Sequence, residues 1–263
     1  MSAEQDAPAG QAPPGPYSLK GRVAIVTGAG GGIGSAICRR LAEEGARVVL
    51  GYNRRSAETH DLATSLSGSE HFVARAPVDD SSALRRLAEE VRERYGRADL
   101  LVNNAGMTRY VAHDDLDGLD DDLIDEIFRV NWRGAFACVR AFRRLLSEGD
   151  GGLVVNISSI AGTTGNGSNI AYCASKAALN SMTVSLARAL APDIRVVSVS
   201  PGLVAGDYAN TLDPVWRAQQ VERTPLGRLA TADDVAEAVL AAATLLRFTT
   251  GCILPVDGGR PLL

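Results

Sequence analysis

Between residues 23 and 259 the chain alternates short apolar runs with stretches whose apolar positions recur every three or four residues. The runs are VAIVTG (23–28), ARVVLGY (46–52), HFVARAPV (71–78), LLVNNAG (100–106), GLVVNIS (152–158), IRVVSVSPG (194–202) and CILPVDGG (252–259). They hold Val, Ile and Leu with little polar alternation, the pattern of strands buried on both faces by crossover helices. Helical periodicity fills the gaps: GSAICRRLAEEG, SAETHDLATSL, SSALRRLAEEVRERY, one long stretch from Asp121 to Leu146, the segment around AYCASK, and TADDVAEAVLAAATLL. Strand and helix in alternation predict an α/β architecture, a doubly wound parallel β-sheet of about seven strands flanked by helices. Residues 202–226 read as irregular.

The 263 residues, 46% hydrophobic and 22% charged, fit one large domain with a substantial core, running from residue 18 to 263. Residues 1–17 read as a flexible Pro/Ala/Gly tail. It has neither a basic start nor an apolar run, so neither a signal peptide nor a membrane anchor is expected, and the expected location is cytoplasmic. A net charge of -4 and a pI near 5.5 argue against nucleic acid as a partner, because phosphate-backbone affinity relies on clustered Lys and Arg. Cys38, Cys138, Cys173 and Cys252 lie in apolar segments without metal-ligand spacing and read as buried free thiols. His60, His71 and His113 are not spaced as a metal pair, so no metal is expected.

The first strand runs through TGAGGGIG, Thr27 to Gly34, directly into a helix. The spacing GxGxxG fails, because Ile33 stands where its third glycine should be, but Gly28, Gly32 and Gly34 fit GxxxGxG. Glycines there permit positive φ and let backbone approach a pyrophosphate at a helix N-terminus. The end of the second strand bears on which dinucleotide is bound. An acid at that place would hold the ribose hydroxyls of NAD, whereas a 2'-phosphate calls for arginine. Tyr52 and Asn53 occupy the place of the acid, and Arg54 and Arg55 follow, which favours NADP(H).

In AYCASK, Tyr172 and Lys176 are four residues apart and share one helical face. Such a pair is common by chance, so its meaning depends on what surrounds it. Here TGxxxGxG, NNAG (103–106), NISS (156–159), YxxxK and SPG (200–202) occur in order, each at the end of a predicted element. With these motifs the chain resembles the short-chain dehydrogenase/reductase family, a single-domain Rossmann fold, and among its members the 3-oxoacyl-[acyl-carrier-protein] reductases. The resemblance implies Asn131, Ser159, Tyr172 and Lys176 as the catalytic set. Ser159 would hold the substrate oxygen, Tyr172 would exchange the proton and Asn131 would hold a relay water. Ser158 is expected to face the other way. It further implies that the cofactor lies against Gly28, Gly31, Gly32, Ile33 and Gly34, with Asn53, Arg54 and Arg55 at its phosphate. Val78, Asn104, Ala105 and Gly106 would lie on its adenosine and ribose side, and Tyr172, Lys176, Pro201, Gly202 and Leu203 around the nicotinamide. A free tyrosine of pKa about 10 exchanges protons poorly at neutral pH, and a neighbouring ammonium favours its phenolate.

Three departures from the family pattern stand out. Pro77 occupies the place of an adenine-reading Asp, leaving Val78 a backbone contact, with Asp79 or Asp80 equally readable as a helix N-cap. Gly206 stands where relatives carry a cofactor-touching Thr. The link MTRYVAHDDLDGLDDDLIDEIFRV is a few residues longer than in the acyl-carrier-protein reductases. With the lid-like segment 202–226 it should shape the pocket; Trp216 reads equally as a substrate wall or as a packing residue. Apolar surplus on the Asp121–Leu146 and AYCASK helices, with the terminal VDGGRPLL, resembles the family's subunit contacts and implies a homotetramer or homodimer. The expected activity is NADPH-dependent reduction of a ketone, first a 3-oxoacyl thioester or polyketide-like ketone. A sugar, steroid, pterin or other secondary alcohol is the alternative, and a catalytically silent NADP-binding regulator the rival of another class. The complete set Ser159, Tyr172, Lys176 and Asn131 argues against the silent regulator.

Overall fold

A computed structural model describes residues 18–211 and 213–262 of the chain; the N-terminal tail expected from the sequence lies outside the described residues. Seven strands are joined in one sheet in the order β3-β2-β1-β4-β5-β6-β7, every pairing parallel. They are β1 (Val23–Thr27), β2 (Arg47–Tyr52), β3 (Phe72–Arg75), β4 (Leu100–Asn103), β5 (Gly152–Ile157), β6 (Ile194–Pro201) and β7 (Ile253–Val256). Alternate residues of one strand feed two different cores. Ala24 and Val26 of β1 join α1 (Gly32–Glu43) and α10 (Ala232–Thr244), while Val23 and Ile25 join α3 (Ser81–Tyr95) and α5 (Ala135–Ser147) on the other face. That two-sided burial is why the central runs carry apolar residues at every position. At the sheet margins it fails: β3 and β7 are only partly buried, and Ile253 is exposed, so the expectation of fully covered strands holds only for the interior of the sheet.

The strand order reverses between β1 and β4, opening a crevice at their C-terminal ends, where open α/β sheets place ligands. Thr27 holds the two strands together there. Its hydroxyl accepts from the amides of Asn104 and Ala105, both at 3.0 Å, and donates to the Val102 carbonyl at 3.3 Å.

The stretch from Asp121 to Leu146, read as one helix, is interrupted. α4 (Asp121–Phe128) passes into a π-helical turn, Arg129–Gly134, before α5 resumes the α-helical repeat. A π turn widens the helix by one residue and occurs often at functional sites. Here two of its residues touch other elements: Asn131 reaches the loop after β4, and Gly134 abuts Val78, whose Cγ2 would lie 2.7 Å from any β-carbon added at 134. The segment 202–226 is less irregular than its sequence suggests, since it contains α8 (Asp207–Asn210) and α9 (Pro214–Glu222). Asp213 caps α9 by accepting from the Trp216 amide at 2.8 Å. Three helices remain to be placed: α2 (Ser56–Ser65) follows β2, α6 (Ala161–Thr164) follows β5, and α7 (Ile170–Leu190) carries the AYCASK segment.

Candidate active site

The glycine turn from Thr27 to Gly34 joins β1 to α1 at this crevice, and its glycines serve different ends. Gly28 has φ +65°, a conformation only glycine adopts without strain. A β-carbon at Gly34 would stand 2.3 Å from the Gly28 carbonyl oxygen and 2.7 Å from Asn104 Nδ2, so Gly34 is demanded by the fold of the turn itself. A β-carbon at Gly30 would meet Thr59 Oγ1 at 2.5 Å and Arg55 Cβ at 3.1 Å, so Gly30 admits the turn between β2 and α2. At Gly32 a β-carbon would meet nothing within 4 Å. The space in front of Gly32 is open, and it lies at the first turn of α1, where no acidic side chain and no side-chain cap occupies the amide groups. An uncapped helix N-terminus with open space before it fits a phosphate, through hydrogen bonds and the helix dipole together.

Asn104 braces this turn from the β4 side. Its Nδ2 donates to the carbonyls of Thr27 at 2.9 Å and Gly28 at 3.1 Å. The Asn104 side chain is thus turned toward the glycine turn, where the Gly28 carbonyl also accepts from the Gly31 amide at 3.2 Å. Ala105 and Gly106 continue along the crevice. Asn53, Arg54 and Arg55 are exposed beyond the end of β2, with Arg55 leaning against Gly30. Val78 is 8% exposed and packs into the core, so only its backbone remains for a ligand. Of the two candidate caps, Asp80 starts α3, accepting from Ser82 and Ala83 amides at 2.8 and 3.0 Å, while Asp79 pairs with Arg129 at 3.6 Å.

Across the crevice, Ser158 and Ser159 follow the end of β5 and make different contacts. Ser158 is buried and donates to the Lys176 carbonyl at 3.3 Å. Ser159 is half-buried, and its Oγ accepts from the Ala161 amide at 3.2 Å, which leaves its hydroxyl proton for another partner.

Lys176 is 5% exposed. Its Nζ donates to the Ile157 carbonyl at 2.8 Å and lies 5.7 Å from the centre of the Tyr172 ring. Among the described residues no carboxylate pairs with it, and burial pushes its ammonium down to about 8, still largely charged at pH 7. Room for α7 to come this close is made by two glycines. A β-carbon at Gly162 would fall 2.6 Å from the Lys176 carbonyl carbon, and one at Gly167 would fall 2.9 Å from Cys173 Sγ and 3.3 Å from Tyr172 Cδ1. Burial raises the pKa of Cys173, so that thiol stays protonated at neutral pH and is no nucleophile.

Asn131 is 1% exposed and uses all its side-chain atoms within the protein. Its Oδ1 accepts from the Met107 amide at 2.8 Å, while Nδ2 donates to the Met107 carbonyl at 3.0 Å and to Ser175 Oγ at 3.1 Å. Ser175 in turn donates to the Tyr172 carbonyl at 2.8 Å. The π turn thus ties the loop after β4 to the tyrosine helix. Two residues of this scaffold escape the motif reading, Ser175 and Asn169. Asn169 is fully buried and caps α7 by accepting from the Tyr172 amide at 2.7 Å. The signal for it is present in the sequence, an Asn three positions before the first polar residue of a long helix.

Pro201, Gly202 and Leu203 close the site from β6. The Pro201 carbonyl accepts from Ile160 and the Gly202 amide donates to Val256, both at 3.0 Å, and the Leu203 carbonyl accepts from Ala230 at 3.2 Å. Gly206, at the place of the missing Thr, has φ +143° and no neighbour that a β-carbon would meet. Trp216 is 42% exposed on α9. On α9 the buried Gln220 accepts from Arg260, which ties the C-terminal VDGGRPLL segment to α9 of its own chain.

A family model described as enoyl-(acyl carrier protein) reductase matches residues 28–260 of the chain. The chain is 39% identical over 245 residues to a protein described as a ketoacyl reductase of the granaticin polyketide synthase of Streptomyces violaceoruber, covering 92% of this chain and 96% of that one. It is 32% identical over 240 residues to a 3-oxoacyl-[acyl-carrier-protein] reductase of Staphylococcus aureus, covering 90% and 96%. A solved structure described as a short-chain dehydrogenase/reductase from Burkholderia xenovorans superposes with a TM-score of 0.84 at 34% identity, over 94% of this chain and 100% of that one.

The glycines can be told apart by substitution. Gly32→Ala should leave the urea midpoint near that of the wild type yet weaken nicotinamide-dinucleotide binding by about tenfold or more, whereas Gly34→Ala should cost about 2 kcal/mol or more of stability through overpacking. Equilibrium unfolding and cofactor fluorescence titration read the two effects separately. Lys176 makes a second prediction. Between pH 8 and 10.5 its folded form has lost the proton that the unfolded chain still binds, so stability rises with pH across that window. Relative to Lys176→Met, the wild type should gain up to about 3 kcal/mol between pH 7 and 10.5, measured as the pH dependence of the difference in unfolding free energy.

Proposed function

Because the chain belongs to the short-chain dehydrogenase/reductase family and is an NAD(P)-dependent oxidoreductase, we propose that it reduces a ketone to a secondary alcohol with NADPH. The proposed substrate class is a 3-oxoacyl thioester or a polyketide-like ketone. The observation that supports this reading best is the buried, carboxylate-free ammonium of Lys176 under the ring of Tyr172, on the side of the crevice opposite the open helix N-terminus at Gly32. When bound, the nicotinamide supplies the hydride and, as its oxidised ring, a positive charge. Gly31, Gly32 and Ile33 would hold the pyrophosphate through backbone, Asn104, Ala105 and Gly106 would lie on the adenosine and ribose side, and Pro201, Gly202 and Leu203 would line the nicotinamide side. Ser159, its hydroxyl proton not committed to the Ala161 contact, donates to the substrate oxygen and orients the carbonyl. Tyr172 gives its proton to the oxygen as negative charge develops there. Lys176 favours the phenolate left behind, and its burial keeps that attraction strong. Asn131 holds the helix carrying Tyr172 against the loop after β4, and its remaining acceptor capacity and backbone serve the relay water. The names of the two relatives, a ketoacyl reductase and a 3-oxoacyl-[acyl-carrier-protein] reductase, support the substrate class. Arg54 and Arg55, exposed beside the glycine turn with no acid at the end of β2, support NADPH over NADH. Four unpaired cysteines support a reducing, cytoplasmic setting.

We further propose that the protein assembles through α5 and α7 as a homodimer or, with the β7 edge, a homotetramer. Trp132 and Phe136 stack with ring centres 6.1 Å apart beside a groove lined by Ala178, Met182 and Leu186, and Phe136 is exposed. Phe248 and Ile253 are exposed near the β7 edge.

Purified protein should oxidise NADPH with an acetoacetyl thioester, and Tyr172→Phe should lower turnover about 1000-fold while cofactor binding persists. Replacing both Arg54 and Arg55 by Ala should lower the NADPH-to-NADH preference in kcat/KM by about tenfold or more. Retained turnover in Tyr172→Phe would sink the mechanism. Phe136→Glu should shift the sedimentation mass to a smaller assembly, because it buries a charge in an apolar contact.

A further inference from the structure

The loop following Gly106 does not hang free over the site. Thr108 Oγ1 and Ser168 Oγ lie 2.5 Å apart, the Val111 amide donates to the Ser168 carbonyl at 2.9 Å, and His113 Nε2 donates to the Gly167 carbonyl at 3.1 Å. Val111 and Met107 also pack with Ile127 and with Ala171, the residue before Tyr172. At the centre of this clasp is Asn169, whose side chain faces two ways. Nδ2 donates to the Arg109 carbonyl at 2.7 Å and to Thr108 Oγ1 at 3.3 Å, while Oδ1 accepts from the Tyr172 amide at 2.7 Å. It is fully buried, its backbone is extended, and both of its side-chain donors are used within the protein.

We propose that Asn169 is a positioning residue that couples the loop 107–113 to the tyrosine helix, so that loop placement and Tyr172 placement are one event. It rests on the reading of Tyr172 as proton donor. A planar amide cannot move its acceptor without moving its donors, and the first turn of α7 has no other side-chain cap. A loop shifted by substrate therefore rotates the amide and moves the amide of Tyr172 with it. Asn131 makes a second tie between the same two segments, through Met107 and Ser175, which confines the motion to a pivot about Met107. The consequence for specificity is direct. A ketone that fits the loop poorly is penalised in the chemical step as well as in binding, because a displacement of about 1 Å at a reacting group can cost roughly 100-fold in rate.

Three variants separate this from a simple cap or a simple wall. Asn169→Ala removes both functions; Asn169→Ser keeps an oxygen for the Tyr172 amide but is too short to reach Thr108 and Arg109. Thr108→Val leaves the cap intact and loosens the clasp from the loop side. Coupling predicts that Thr108→Val lowers kcat about tenfold as well as raising KM, and speeds hydrogen exchange at the Tyr172 amide, 64 residues away. It also predicts that Asn169→Ser restores only part of the kcat lost in Asn169→Ala. Thr108→Val leaves Asn169 on the Arg109 carbonyl whereas Asn169→Ser cuts both ties to the loop, so the combined variant should be little worse than Asn169→Ser alone. The proposal is overturned if Thr108→Val raises KM alone with Tyr172 exchange unchanged, or if Asn169→Ser recovers the full wild-type kcat. Should Asn169→Ala fail to fold, Thr108→Val decides by itself. Tyr172→Phe run alongside isolates the underlying reading: if it retains turnover, that reading fails, and exchange at Tyr172 in Thr108→Val still tests the coupling.

Discussion

Lys176 carries an ammonium into the interior of the protein, and its neighbours are arranged around that charge. A buried cation without a carboxylate is unfavourable, and the protein meets it with one carbonyl at the end of β5, an aromatic face and the depressed pKa that burial imposes. To set the ammonium there, α7 must lie almost against the segment after β5. Gly162 supplies the missing side chain that lets it, and Ser158 ties the Lys176 carbonyl to the strand end. A carboxylate partner would have made the site more stable and less useful, because a paired lysine has little field left for a phenol.

Polar side chains rather than apolar packing align the pieces of this site. Asn104 and Thr27 join the glycine turn to β4, Asn131 joins the π turn to the loop after β4, and Asn169 joins that loop to α7. Below them Asn103 and Asn156, paired in register on β4 and β5, continue through Thr183 into the same helix. Hydrogen bonds of this kind add modestly to stability, yet they fix direction and distance in a way that dispersion contacts do not. Under the proposed mechanism, a site that holds a phenol, a hydroxyl and an ammonium in one geometry gains more from direction than from depth of packing.

Opposite faces of the molecule show a different economy. Away from the crevice, Asp99 gathers Arg22, Arg97 and the Val23 amide at the other end of the sheet, and Arg195 donates to the Ala242 carbonyl in α10 and the Leu246 carbonyl just past it. These are structural uses of charge, placed where no ligand is called for. Near the site, cations are either buried alone, as Lys176, or exposed beside the glycine turn, as Arg54.

Local pattern determined a great deal of this protein. Runs of Val, Ile and Leu without alternation marked the interior strands, because burial on both faces is a property each run carries by itself. Spacing marked the glycine turn and the shared face of Tyr172 and Lys176, both of which depend on neighbours within a few residues. Only the tertiary structure decided which glycine serves the fold and which leaves room for a ligand, since Gly34 is filled by its own turn and Asn104 while Gly32 faces open space. The π turn at Asn131, the bracing of the glycine turn by Asn104 and the two-way role of Asn169 were likewise out of reach. Their partners lie 24 to 77 residues away, and it is the register of packed strands and helices, not any local preference, that brings such groups within hydrogen-bond distance.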